Sequence, residues 1–264
     1  MKILVLIKQV PETNDVRMDE KSGTMIREGV NSIINPLDLY AIEAAIQLKE
    51  QFGGEVGVIS MGPPKAIDAI KEAIAMGCDF GYLLSDRKFA GADTWATSYV
   101  ISKALGKLND YDLILCGERA TDGDTGQVGP GVASFLNLPC ISYVSSFQMI
   151  DGEIEAKRLV ETGYEVYRSP LPALLTVVKE ISDPRLPTLR GKKRAKTIQA
   201  PMWDNVALEL DDQLIGLNGS PTRVVKIFRP KIARQGETFV VKSEADAIVA
   251  ADKIVAYLEK NQLI

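Results

Sequence analysis

The residues best equipped for chemistry lie in one short run, Glu118-Arg119-Ala120-Thr121-Asp122-Gly123-Asp124-Thr125-Gly126-Gln127-Val128-Gly129-Pro130. An apolar, strand-like stretch from Tyr111 to Cys116 and then Gly117 precede it, and a helix-like stretch from Val132 to Leu136 follows. A turn of small residues lets backbone N–H groups approach an anion, and a helix N-terminus adds partial positive charge. Thr125 is placed to cap that helix and to donate its hydroxyl. Arg119 is either a charge partner for a diphosphate or simply solvated. Asp122 and Asp124 would repel a phosphate, so they are expected to bond backbone or ribose. Together Gly117, Arg119 and the turn Asp122–Val128 have the chemistry of holding a diphosphate. The pattern is neither a P-loop nor Gly-x-Gly-x-x-Gly. The same residues also make an ordinary strand-to-helix loop, and on spacing alone the two readings stand level.

Other chemistries are excluded by composition. Histidine is absent from all 264 residues, which removes His triads, His general bases and His metal ligands. A chain whose chemistry resides on a bound cofactor needs none of these. Cys78, Cys116 and Cys140 form no Cys-x-x-Cys pair, so no metal site is expected. Cys116 and Cys140 sit in apolar runs and are expected to be buried free thiols. A net charge of −4 argues against generic nucleic-acid binding. With 46% hydrophobic and 25% charged residues, the chain reads as soluble and globular, with room for one large or two modest domains. No apolar stretch is long enough for membrane insertion. The start, Met1 to Ile7, reads as a first strand and not a signal peptide, so a cytoplasmic location is expected.

The elements that must position the run alternate. Ile3–Ile7, Val56–Ser60, Tyr82–Leu84 and Leu113–Cys116 read as buried parallel strands. Between them, Leu37, Tyr40, Ala41, Ala44, Ala45 and Leu48 recur at helical spacing. Asn35 is placed as N-cap of that helix, Pro36 opens it and Gly53-Gly54 ends it. Ala66, Ile67, Ile70, Ala73 and Ile74 form a second stripe ended by Gly77. Asp93 caps a third, with Ala96, Tyr99, Val100 and Leu105 as its stripe and Trp95 as a core anchor. This alternation predicts an α/β fold with a doubly wound, mostly parallel sheet. Ligands on such sheets bind beyond the carboxyl ends of the strands. Lys8-Gln9, Met61-Gly62 and Gly117 onward would therefore converge on one crevice.

Two hairpins interrupt the alternation. One spans Val16 to Ile26; the other pairs Phe147–Ile150 with Ile154–Val160 around Asp151-Gly152. Tyr164–Tyr167 leads to a further strand candidate, Ala173–Val178. Beyond Asp183 the prolines Pro184 and Pro187, with Arg190, Lys192, Lys193 and Arg194, read as an exposed loop. Core periodicity is sparse from Ala200 to Thr238. Ser243–Leu258 reads as a helix capped by Ser243, with Ala247, Ile248, Ala251, Ile254, Val255 and Leu258 as its stripe.

An ordered set of motifs spans nearly the whole chain and fades beyond Met202. It comprises Val5-Leu6-Ile7-Lys8-Gln9-Val10-Pro11, Ile34-Asn35-Pro36-Leu37-Asp38, Met61-Gly62-Pro63-Pro64, Ala75-Met76-Gly77, Gly91 to Thr97 and the Glu118 run. Arg158, Glu161 and Glu165, then Pro172 to Thr176, and finally Pro184-Arg185-Leu186-Pro187-Thr188-Leu189 with its basic run complete it. Each motif alone is weakly specific; their order is strongly specific. The set resembles the β subunit of electron transfer flavoproteins.

That resemblance implies a Rossmann-like, adenine-nucleotide-binding domain over residues 1–183. A partner-docking loop and basic segment follow at 184–198, and a C-terminal arm at 199–264 packs on the α subunit. It implies nucleotide contacts from Leu6, Asn35, Pro36, Leu37, Asp38 and Met61 as well as from the Glu118 run. It implies docking by Arg185, Leu186, Pro187, Thr188, Leu189, Arg190, Lys192, Lys193 and Arg194, with Leu189 entering an apolar pocket of a flavin dehydrogenase of acyl-CoA or lactate type. The spacing of Arg158, Glu161 and Glu165 resembles the electron-bifurcating branch. In that branch this subunit holds FAD reduced by NADH, the α subunit holds a second FAD, and ferredoxin or flavodoxin is the low-potential acceptor. Arg158 would tune the flavin. Thr162 departs from the signature, which prefers an acidic residue or glycine there. The alternatives are a non-bifurcating carrier with structural AMP, and a homodimeric adenine-nucleotide-binding signalling protein of similar fold.

Overall fold

A computed structural model describes residues 1–12, 17–18, 25–26, 31–225 and 236–264. In chain order the elements are β1 (Lys2–Ile7), β2 (Gln9–Pro11), β3 (Arg17–Met18), β4 (Met25–Ile26), β5 (Ser32–Ile34), α1 (Pro36–Phe52), β6 (Glu55–Met61), α2 (Ile67–Met76), β7 (Phe80–Leu84), α3 (Thr94–Leu108), β8 (Leu113–Gly117), α4 (Val128–Leu136), β9 (Cys140–Ile150), β10 (Glu153–Val160), β11 (Gly163–Ser169), β12 (Ala173–Val177), α5 (Leu189–Thr197), β13 (Met202–Trp203), α6 (Gly216–Gly219) and α7 (Glu244–Lys260). They fall into two units, Met1–Lys226 and Ile227–Ile264.

Nine strands form one sheet in the order β11-β10-β9-β12-β8-β1-β6-β7-β13. From β13 to β9 neighbours run parallel, and β9, β10 and β11 continue antiparallel. Helices cover both faces of the parallel part, so its strands must be apolar on both sides. In β1, Ile3, Val5 and Ile7 face a core shared with α1 and α2, while Leu4 and Leu6 face one shared with α3 and α4. Each fully buried side chain of this size contributes about 1.5–3 kcal/mol.

The four anticipated parallel strands are present, each longer by one or two residues. The caps follow local chemistry. Asp93 accepts from Ala96 N at 3.0 Å, and Ser243 accepts from Asp246 N at 3.2 Å. Gly53, Gly54 and Gly77 stop α1 and α2 at φ of +73°, +107° and +146°. Asp151 and Gly152, at φ of +51° and +84°, turn the β9–β10 hairpin, as a type I′ turn requires. Of the first expected hairpin, β3 and β4 pair; its remaining residues lie outside the described ones.

Several expectations are corrected. Trp95 is not a core anchor: it is 39% exposed, and its ring stacks on Tyr99 with centroids 6.1 Å apart, meeting Phe135 edge-on. Cys116 is buried, but Cys140 begins β9 and is exposed. The segment after Pro187 is helical, not a loop, because Thr188 caps α5 by accepting from Gly191 N at 2.9 Å. Ala200 to Ser220 holds more core than its sparse periodicity suggests: β13 extends the sheet beside β7, and Leu208, Leu210 and Ile215 are buried. In the second unit, Ile248, Ile254 and Val255 of α7 are exposed.

Candidate nucleotide-binding site

Because β6, β1 and β8 are adjacent and parallel, Met61-Gly62, Lys8 and Gly117 emerge at the same edge. Asp38, buried in the first turn of α1, ties two of these ends together. Its Oδ2 accepts from Lys8 N at 2.8 Å and its Oδ1 from Gly117 N at 3.1 Å. Burial pushes its pKa up to about 7, against the downward pull of those two N–H groups. Gly117 has to be glycine here, since a Cβ would lie 2.6 Å from Asp38 Oδ1 and 2.7 Å from the Leu37 carbonyl carbon.

Asn35 does not cap α1 through its side chain, contrary to the sequence reading. It is fully buried and its amide reaches the loop, donating to Arg119 O at 2.9 Å and accepting from Thr121 N at 3.1 Å. Capping is a local interaction, and the two loop bonds win because they satisfy buried groups that have no helical partner. Asn35 and Asp38 thus hold the turn from beneath.

The turn itself departs from expectation in two ways. Gln127, not Thr125, occupies the cap position of α4, without a capping side-chain bond; Thr94 Oγ1 donates to its Oε1 at 2.8 Å. Asp122 and Asp124 bond cations and not backbone within the chain: Asp122 Oδ1 lies 2.8 Å from Lys8 Nζ, and Asp124 Oδ1 lies 2.7 Å from Arg119 Nε. Opposite charges at this distance outweigh neutral hydrogen bonds. Arg119 is therefore neither simply solvated nor unpaired.

Above this support the backbone is open. Among the described residues, the N–H groups of Gly123, Thr125, Gly126 and Gln127 meet no acceptor. Gly126 sits at φ +63°, and a Cβ at Gly123 would meet nothing within 4 Å. Clustered unpaired donors, with Lys8 and Arg119 alongside, fit the phosphates of a nucleotide.

Other candidates fall around this turn or away from it. Leu6 is buried in the sheet core, Met61 packs against the same cluster, Leu37 is half-buried and Pro36 exposed. Lys8 carried a signal, as the first residue past a buried strand. Tyr143 carried none: at φ +59° on β9 it places its hydroxyl 3.7 Å from where a Gly126 Cβ would be. Arg158 and Glu165 are cross-strand partners on β10 and β11, 3.9 Å apart, and Glu161 lies exposed in the turn between them. Arg158 Nε is buried without a hydrogen-bond partner among the described residues.

The docking candidates divide. Leu186 and Leu189 are 86% and 87% exposed. Arg190, Lys192 and Lys193 are exposed too, with Thr188 as cap and Pro187 half-buried. Arg185 and Arg194 instead bond inward, to α1 and to the end of α2. Their guanidinium groups find carboxylates and orphaned carbonyls that outcompete water.

A family model described as "Electron transfer flavoprotein domain" matches residues 22–204. The chain belongs to the electron transfer flavoprotein family. Within it, the chain is 49% identical over 245 residues to an electron transfer flavoprotein subunit beta of Thermoanaerobacterium thermosaccharolyticum, covering 90% of this chain and 92% of the relative. It is 43% identical to the caffeyl-CoA reductase-Etf complex subunit CarD of Acetobacterium woodii, over the full length of both. Protein FixA of Azotobacter vinelandii is 39% identical, covering 98% and 94%. Among the described residues, no cluster of three or more Cys, Asp or Glu could hold a metal, and no helix is long and apolar enough to cross a membrane.

Proposed function

We propose that this chain is the nucleotide-holding and docking subunit of a heterodimeric electron carrier, and that its nucleotide is FAD. The observation that carries this reading is the set of open backbone donors at Gly123, Thr125, Gly126 and Gln127, fixed from beneath by Asn35 and Asp38. Those donors, Lys8 and Arg119 would hold the diphosphate, and the backbone at Leu6 and Met61 would border the adenine. The bound FAD supplies hydride acceptance from NADH and one-electron transfer, through the α-subunit FAD to or from an acyl-CoA or lactate dehydrogenase and to ferredoxin or flavodoxin. Arg158 supports a flavin here, because a partly buried guanidinium with an orphaned N–H is a donor awaiting an acceptor, and a cation beside a flavin favours its anionic reduced form. The kinship with a subunit of a caffeyl-CoA reductase complex is in keeping with a CoA-linked dehydrogenase as partner.

A second reading keeps the carrier and replaces FAD with AMP. It rests on the same turn, whose donors address phosphate and not the isoalloxazine. Anaerobic purification of the heterodimer, nucleotide extraction and addition of NADH separate the two. Two FAD per heterodimer with NADH-driven bleaching is the expected result. One FAD and one AMP, without bleaching, would leave a simple carrier.

A further inference from the structure

Arg185 makes five hydrogen bonds, all to two glutamates of α1. Its backbone N donates to Glu43 Oε2 at 3.1 Å, Nε to the same oxygen at 2.8 Å and Nη2 to Glu43 Oε1 at 3.0 Å. Nη1 and Nη2 donate to Glu50 Oε1 and Oε2 at 2.6 and 2.9 Å. Glu43 is buried and Gln47 braces it at 2.9 Å. Burial opposes the charge on Glu43, but the Arg185 bonds outweigh it and hold the carboxyl below its ordinary pKa. A planar guanidinium can serve two carboxylates at once, which a lysine ammonium cannot.

The far end of α5 is held by different means. Arg194 Nη2 donates to the carbonyls of Ile74, at 3.1 Å, and Cys78, where α2 ends and its carbonyls lack helical partners. Ala195, next to Arg194, is buried, and between the clamps Gly191 lies so close to α2 that any Cβ would strike the Ala75 carbonyl. Leu186 and Leu189 thus project from a segment fixed at both ends.

We infer that Arg185 and Arg194 are positioning residues which preorganise the Leu186–Leu189 anchor, and that neither touches the partner dehydrogenase. The inference rests on the docking reading above and adds to it the device that makes the anchor rigid. Preorganisation lowers the ordering cost of binding, so loosening the clamp weakens docking without removing any contact.

The test uses the intact heterodimer with whichever dehydrogenase, acyl-CoA or lactate type, it reduces fastest, and an artificial dye as a docking-independent acceptor. Glu43→Gln and Arg185→Met are each expected to raise the KM for the dehydrogenase by about tenfold, with maximal rate and flavin content unchanged. Amide exchange in α5 should speed up in parallel. Combined with Leu189→Ala, Arg185→Met should cost less than the product of the two single effects, because a misplaced anchor has less to lose. Glu50→Gln, at an exposed carboxylate, serves as the milder variant should Glu43→Gln or Arg185→Met fail to fold. If Leu189→Ala raises KM while the glutamate variants do not, or if the effects multiply fully, positioning is wrong and docking stands. If Leu189→Ala itself leaves KM unchanged, the docking reading is what fails.

Discussion

The crevice turn and helix α5 are built on opposite plans. Beneath the turn, two neutral or near-neutral side chains, Asn35 and Asp38, bond backbone groups and leave unpaired polar donors facing outward. Beneath α5, charged arginines bond carboxylates and carbonyls and leave apolar leucines facing outward. Each surface presents what its support lacks. The polar turn suits a charged small molecule held for long periods, whereas the leucines suit a small, reversible protein contact. The difference lies in the bonds underneath, so it can be probed there.

The largest contrast is in pH. A carboxyl whose folded pKa lies above its unfolded value stabilises the fold only while protonated. For Asp38 that contribution is full below its ordinary value of 3.8 and is lost as the pH rises to about 7. The loss is on the order of 4 kcal/mol, and its slope should vanish in Asp38→Asn. Glu43 has the opposite sign: its depressed pKa stabilises above the ordinary value of 4.5 and fails as the pH falls below it. Amide exchange followed from pH 3 to 8 should show the crevice loosening toward neutrality and α5 loosening toward acid. Parallel behaviour in both regions would erase the contrast.

Gly126→Val comes next. A β-branched residue at φ +63° is strained by roughly 1–3 kcal/mol, and its side chain covers the donors. Nucleotide retained after gel filtration should fall by about a hundredfold in affinity while circular dichroism stays native. Asn35→Ala removes two buried bonds and should weaken nucleotide binding by about 1–3 kcal/mol without changing the KM for the dehydrogenase. The smallest effect is ionic. Helix α5 carries Arg190, Lys192, Lys193, Arg194 and Lys196 and no acidic residue, so raising salt should slow association with the dehydrogenase by about tenfold. Nucleotide content should not move.

Much of this was legible because it is periodic or local. The buried strands are apolar on both faces; α1 announces itself by its stripe and terminating glycines, and α3 and α7 by stripe and capping residue. Kinship located the turn. What stayed hidden is nonlocal. Asn35 meets its partners 84 and 86 residues away, and a capping asparagine looks identical in sequence. Arg185 reaches back 142 residues to Glu43, so a residue that appears free in a charged segment is in fact bound. Helix α5 was masked by its charge and flanking prolines, although lysine and arginine are good helix formers. Tyr143 at the turn depends on an irregularity of β9 that no spacing encodes.

On the proposed docking reading, the clamp on Arg185 bears on redirecting the protein to a new client. The nine residues of α5 look like a portable cassette, to be exchanged between relatives as one would swap a plug. Their seat, however, is written elsewhere in the chain, in Glu43, Glu50 and the close approach at Ala75. A graft into a recipient without those carboxylates would carry the right leucine, Leu189, on a base that no longer holds it still. The transplantable unit is the segment from Arg185 to the end of α5 together with the two glutamates of α1.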